Sequence, residues 1–163
     1  MTSILDAGER KRAQAAEAHS LEFVTMKIAG QLFGIPVLQV RDVLGPQRIT
    51  RIPLAPSRVA GALNLRGRIV TAIDARNRLG LGTRTDGGAE MSIVVEYMSE
   101  LYSLIVDEVG EVLTLPAASL EPNPPTLDAV WRDISTGIAR LDDRLLVIVD
   151  IGRLLDLGEA EAA

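Results

Sequence analysis

Short runs with apolar residues at alternate positions, punctuated by glycine, proline and polar pairs, occupy most of this chain. That pattern predicts half-buried β-strands joined by tight turns. Glu22–Ile28 and Gln31–Val37 are β-branched and aromatic runs around Ala29-Gly30, which is a hairpin signal. Leu38–Leu44 has no clear period and reads either as an irregular strand or as a single helical turn, ended by Gly45-Pro46. Beyond the rigid Pro53-Leu-Ala-Pro56 loop, Val59–Leu65 and Arg68–Ile73 predict strands around an Arg66-Gly67 turn. Asp74 precedes Ala75–Leu79 and Gly80 follows it, the N-cap and C′ pattern of a short helix.

Leu81–Glu90 reads as a linker, after which the programme starts again. Strands are expected over Met91–Met98, Leu101–Val106 and Val109–Leu115, then an irregular proline-rich loop from Pro116 to Pro125. Strands Ile134–Leu141 and Arg144–Asp150 flank Asp142-Asp143, and Asp150 caps a helix over Ile151–Leu157 before Gly158. The restart is visible residue by residue. Gly61–Leu81 aligns without a gap on Gly137–Leu157, with six identities in 21 positions, and Gly30–Leu44 aligns on Ser99–Leu113 with five in 15. Such repetition indicates one β-rich unit built twice. By periodicity Ile69, Ile73, Val147 and Val149 should face buried cores. The fold class expected is all-β with a few short helices, arranged as small barrels. The repeats span approximately 22–81 and 91–157, inside a single domain over 21–160. Residues 1–20 are either a solvated helix or a disordered tail.

Composition narrows the function. The 163 residues can bury a substantial core, and no apolar run reaches the roughly 18–20 residues of a membrane span. Met1–Ser20 lacks the apolar stretch of a secretory signal, and there is no cysteine, so a cytoplasmic protein without disulfides or thiolate metal sites is expected. The net charge of −5 is unevenly distributed. From Arg41 to Arg84 nine arginines face two acids, a local +7; from Thr85 to Ala163 sixteen acids face four arginines, a local −12. A nucleic-acid binder is more often basic throughout, and bipolar surfaces favour head-to-tail protein contacts.

Little in the sequence suggests catalysis. Asp107, Glu108 and Glu111 cluster, and Asp142-Asp143 are adjacent, but acids at strand ends and turns are expected to be solvated. His19 is the only histidine and has no Ser or Cys partner in view. The glycines at 80, 82, 87 and 88 do not follow a strand and open a helix, as a phosphate loop requires. No catalytic, cofactor-binding or metal-binding residue is therefore assigned. One difference between the repeats does stand out: Arg66-Gly67 is replaced by Asp142-Asp143 in the second copy. Arg66 is either an ordinary turn residue or a fork-shaped donor for a partner's carboxylates and carbonyls. Val40 and Val43, beside charged Arg41 and Asp42, belong either to the core or to the floor of a groove.

Pro53-x-x-Pro56, then Val59-Ala-Gly-Ala-Leu-Asn-Leu-Arg-Gly67-x-Ile-Val and Asp74, supported by Val40-Arg-Asp-Val43 and Ile105-Val-Asp-Glu-Val109-x-Glu-Val112, resemble the CheW family of bacterial chemotaxis coupling proteins. The resemblance runs from about Glu22 to Leu157. It implies two intertwined five-stranded SH3-like barrels around a hydrophobic junction, and a non-enzymatic adaptor. Such an adaptor links chemoreceptor cytoplasmic tips to the CheW-like domain of the histidine kinase CheA. By resemblance the receptor-binding residues are Val40, Asp42, Val43, Gly61, Asn64 and Arg66; Asp74 and Asp150 are structural caps. Asp42 stands where glutamate is usual, Ser103 where glycine is frequent, and Thr71-Ala72 in place of a common Pro-Val. The alternatives are a like adaptor of another chemosensory pathway and, from a different class, a nucleic-acid-binding small barrel. With the chain ending at Ala163, no fused receiver domain is expected. Neither nucleic acid nor direct membrane insertion is expected.

The charge asymmetry generates a test. The basic stretch of one molecule should meet the acidic half of another, self or kinase, in head-to-tail rings or filaments. Exposed charges are screened beyond about 8–10 Å at physiological salt, so sedimentation across a salt series should show association weakening as salt rises. Association that strengthens with salt would mean an apolar interface.

Overall fold

Eleven strands and three short α-helices make up the structure, a computed structural model that describes residues 19–81 and 90–155. The strands are β1 (Ser20–Ile28), β2 (Gln31–Pro36), β3 (Val40–Leu44), β4 (Val59–Leu65), β5 (Arg68–Asp74) and β6 (Met91–Tyr97). They continue with β7 (Glu100–Val106), β8 (Glu108–Pro116), β9 (Leu120–Glu121), β10 (Ser135–Arg140) and β11 (Leu145–Val149). The helices are α1 (Ala75–Arg78), α2 (Ala129–Asp133) and α3 (Ile151–Leu155), with 3₁₀ turns at Val37–Gln39 and Ala117–Ser119. Leu38–Leu44 thus contains both of the conformations its sequence allowed, part of a 3₁₀ turn and then a strand. The expected Pro116–Pro125 loop holds a 3₁₀ turn and β9. Most of the linker and of the N-terminal segment lies outside the described residues, as do the last two positions of the helix expected over Ile151–Leu157.

Strand order shows how the repeats combine. Barrel A runs β8-β1-β2-β11-β10-β9 and barrel B runs β3-β6-β7-β5-β4. Under the internal alignment β1–β2 is equivalent to β6–β7, β3 to β8, β4 to β10 and β5 to β11. The two barrels therefore have the same order, and each has taken its hairpin from the other repeat. The sequence boundaries 22–81 and 91–157 are not boundaries in space. The hairpins join their hosts through matching parallel ladders, Phe33 opposite Val147 and Tyr102 opposite Thr71.

Burial explains the exchange. The β1–β2 hairpin is apolar on both faces. Phe23 and Leu32 enter the core of barrel A with Leu146 and Ile148, whereas Met26, Ile28, Phe33 and Ile35 enter a larger junction core. Leu63, Val70, Ala72 and Ile105 fill barrel B. A hairpin with two apolar faces needs a barrel on one side and a second layer on the other. Ile73, Val147 and Val149 are buried as expected, but Ile69 is 74% exposed. Its strand buries Val70 and Ala72 inward, and on the outward face the junction covers Ile73 but stops short of Ile69.

Several repeat identities have a local cause. Thr50 and Ala62 exchange two backbone hydrogen bonds of 2.8 Å, which draw the chain after β3 alongside β4. Gly61 has φ of +151°, and a β-carbon there would collide with the Thr50 carbonyl oxygen. At Gly137 a β-carbon would collide with the Glu121 carbonyl oxygen. Asp74 caps α1 by accepting from Asn77 N at 3.1 Å, and Asp150 accepts from Arg153 N at the same distance.

Asp107 departs from expectation. It is buried, not solvated, and accepts both Nε and Nη2 of Arg76 at 2.8 Å, together with the Ala29 backbone N–H at 2.8 Å. Arg76 follows barrel B, Ala29 turns the hairpin of barrel A, and Asp107 lies where the chain crosses between them. Removing one member of a buried ion pair leaves the other uncompensated, so Arg76→Ala should cost about 3–5 kcal/mol in urea denaturation. An unchanged midpoint would show that this pair is dispensable. Val149→Ala should cost about 1–3 kcal/mol through lost burial and a residual cavity, measured the same way.

Candidate functional site

Three of the residues expected to bind receptor are drawn together at one edge of barrel B. Arg66 and Gly67 form the β4–β5 turn with φ of +52° and +85°, a left-handed pair that matches the twist of a two-residue hairpin. Asn64 Oδ1 accepts from Gly67 N at 2.9 Å and fixes the turn. The Arg66 side chain projects into solvent, and its Nη2 donates to Asp42 Oδ2 at 3.1 Å. Asp42 Oδ1 accepts from Val43 N at 2.9 Å, which orients the carboxylate. Since β3 and β4 are the two edges of the barrel B sheet, this ion pair bridges the seam where the sheet closes. Arg66 is thus already paired within its own chain, a geometry the sequence left open. The pair is exposed, and such pairs contribute at most about 1 kcal/mol.

The other expected residues divide. Val43 is half-exposed beside Asp42, so it adds an apolar element to the charged surface. Val40 packs partly against the junction core and serves the fold as well as the surface. Gly61 is explained by the close approach of Thr50. The arginine-rich barrel also carries acids that arrive with the exchanged hairpin, and Arg41 Nε meets Glu96 Oε1 at 3.0 Å. Among the described residues no cluster of three His, Cys, Asp or Glu side chains could hold a metal ion. None of the described helices is long and apolar enough to cross a membrane.

A second surface feature was not foreseen. Between the barrels an open groove of about 1130 Å³ runs over the outward face of β5 and β7, past Thr71 and Tyr102. Leu54 and Met98 stand on its rim, with α3 along the far side. Tyr97 Oη lies where a side chain on Gly152 would go. The signal lay in the repeat itself: extended upstream without a gap, the alignment sets Leu54-Ala55 against Val130-Trp131.

A CheW-like domain spans residues 22–159. This chain belongs to the CheW family. It is 31% identical over 145 residues to the chemotaxis protein CheW of Klebsiella aerogenes, covering 89% of this chain and 87% of that one. It is 28% identical over 142 residues to the probable chemotaxis protein CheW of Rhizobium etli, covering 87% and 92%. Among solved structures, the scaffolding protein TtCheW from Thermoanaerobacter tengcongensis superposes with a TM-score of 0.75 at 34% identity, over 85% of this chain and 94% of that one. The paired SH3-like barrels are therefore a property of the family, which is one of non-enzymatic adaptors.

Proposed function

We propose that this chain is a cytoplasmic adaptor that couples chemoreceptor tips to the histidine kinase CheA, recruited to receptor arrays at the inner face of the membrane. The observation that carries the proposal is the exposed Asp42–Arg66 pair at the barrel B seam. A left-handed turn holds a long cation out from the surface, and a carboxylate on the opposite edge strand keeps it oriented. A partner that offers its own carboxylate or carbonyls can take up the remaining guanidinium donors, which are arranged in a planar fork. Val43 and Asn64 border the same spot, and Val40 and Gly61 hold the two edge strands in place beneath it. The face departs from the usual family pattern by one methylene, because Asp42 reaches less far than glutamate.

Coupling in this scheme is a difference in binding free energy. The adaptor transmits a signal when one receptor state binds this face better than the other and the kinase, held elsewhere on the two barrels, responds to that occupancy. No chemistry is required of the adaptor itself.

Arg66→Ala separates this role from a structural one. The exposed ion pair contributes little, so the melting temperature should stay close to that of the parent chain, a change within about 0.5 kcal/mol. Affinity for a receptor cytoplasmic fragment, measured by calorimetry, should fall by about 1–3 kcal/mol, the range for a lost charge-assisted bond. A collapse in melting temperature would make Arg66 a structural residue, and unchanged affinity would remove this face from the interface.

A further inference from the structure

The two barrels are topological copies, but their outward faces are finished differently. In barrel A the face made by Phe33 and Val147, paired in register across the parallel β2–β11 ladder, is closed over by α2. Trp131 meets Phe33 edge to face, ring centroids 5.7 Å apart and planes inclined at 75°. Phe33 and Val147 are both fully buried. In barrel B the equivalent pair is Tyr102 and Thr71, in the same register across β5–β7. Both remain only half-buried, and they face the open groove.

The difference traces to one segment. The equivalence of positions before Gly61 and Gly137 is fixed by a shared hydrogen bond: Asp74 N donates to the Arg58 carbonyl, and Asp150 N to that of Ile134, each at 2.8 Å. Counting back from that pair, Ile52–Ser57 stands where Asp128–Asp133 stands. Asp128 caps α2, accepting from Val130 N at 2.9 Å. In the first repeat Pro56 stands at Arg132, whose N–H donates to the Asp128 carbonyl at 2.9 Å, so the bond that closes the helix cannot form, and Ala55 replaces the indole of Trp131. Leu54, the counterpart of Val130, is held at φ of +64° and fully exposed, whereas Val130 packs on the junction core. The groove is the unfilled site of a short helix and its aromatic side chain.

We infer that this groove docks a short helix of a partner protein, presenting a large aromatic side chain to Thr71 and Tyr102 as α2 presents Trp131 to Phe33. The site uses none of Asp42, Asn64 or Arg66, so it is a second docking surface that stands or falls separately from the proposed receptor face. Its walls are apolar at Leu54 and Met98, and half-exposed aromatic rings at its base suit edge-to-face contact with an incoming ring. Arg78, Glu100, Asp133 and Arg153 also line the groove, so an incoming helix would meet charged groups beside its aromatic anchor. Recognition of a helix in a groove through one or two bulky anchors is a recurrent mode of binding.

The internal copy supplies the probe. A side-chain-constrained helical peptide with the sequence of residues 124–134 should give saturable chemical-shift changes in the isotope-labelled full chain, centred on Thr71, Tyr97, Met98 and Tyr102. The same peptide carrying W131A should bind at least tenfold more weakly. In the protein, Leu54→Asp should weaken the peptide at least tenfold without moving the melting temperature, because Leu54 touches only solvent. Arg66→Ala should leave peptide binding unchanged whatever it does to receptor affinity. Absence of saturable shifts, shifts that survive loss of the tryptophan, or shifts mapping to the Asp42–Arg66 face would overturn the inference. Peptide that dissociates dimers of this chain would assign the groove to a second copy. Tenfold tighter binding by a chain ending at Leu155 would assign it to the chain's own C-terminal segment. Either result would overturn the assignment to a partner.

Discussion

Each hairpin of this protein is built into the barrel of the other repeat, and almost everything else in the fold depends on that exchange. The β1–β2 hairpin sits between β8 and β11, and β6–β7 sits between β3 and β5. Neither barrel can complete its sheet from one repeat. The apolar faces that remain after the sheets close are what form the junction core, so the junction is a necessary product of the exchange. Among the described residues, Asp107 is the one charged side chain that is buried, and it holds this arrangement. Its carboxylate reads the position of both barrels at once, through Arg76 on one side and the Ala29 turn on the other. An apolar residue there would bury more easily but would leave the Ala29 N–H unsatisfied and fix no geometry.

The repeats share backbone devices more closely than the side chains that pack around them. Pseudo-equivalent positions keep their hydrogen bonds, caps and close approaches, as Gly61 with Gly137 and Asp74 with Asp150 show. They differ at solvent-facing positions, as Arg66 against Asp142 shows, and equally in the barrel cores, where Leu63, Val70 and Ala72 stand against Ala139, Leu146 and Ile148. The outward face of one barrel is covered by α2, and the equivalent face of the other is open. The Arg66 turn and the open groove are the places where the two barrels, otherwise copies, offer different surfaces.

Much of this could be seen in the sequence, and the failures have physical causes. The hairpins were visible because alternating apolar residues and left-handed turn positions such as Ala29-Gly30 are local signals. The caps were visible for the same reason. The exchange was not, since period-two patterning says which face of a strand is buried and nothing about which strand lies beside it. Ile69 and Val149 look alike in pattern, but one lies beyond the edge of the junction and the other beneath it. The acids were judged by their place at strand ends, and Asp107 escaped because Arg76 is 31 residues and Ala29 is 78 residues away. Helix α2 was hidden behind a run of prolines, although Asp128 before Ala-Val-Trp carried its start signal. At the candidate receptor face the residue types were legible, but the pairing of Asp42 with Arg66 joins opposite edges of a sheet and could only be found in three dimensions.

The interlocked hairpins also set the mechanical character of the protein. To part the barrels, each hairpin must slide out from between two foreign strands, so four hydrogen-bonded ladders would have to fail together. The chain crosses between the barrels at Val37–Gln39 and at Asp107, and each crossing lies between strands that are themselves clamped. A body clamped in this way has high stiffness along the line joining its two ends, and a small displacement imposed at one barrel arrives at the other nearly undiminished. In the proposed adaptor role such a body acts as a strut, conveying position and orientation from one side to the other.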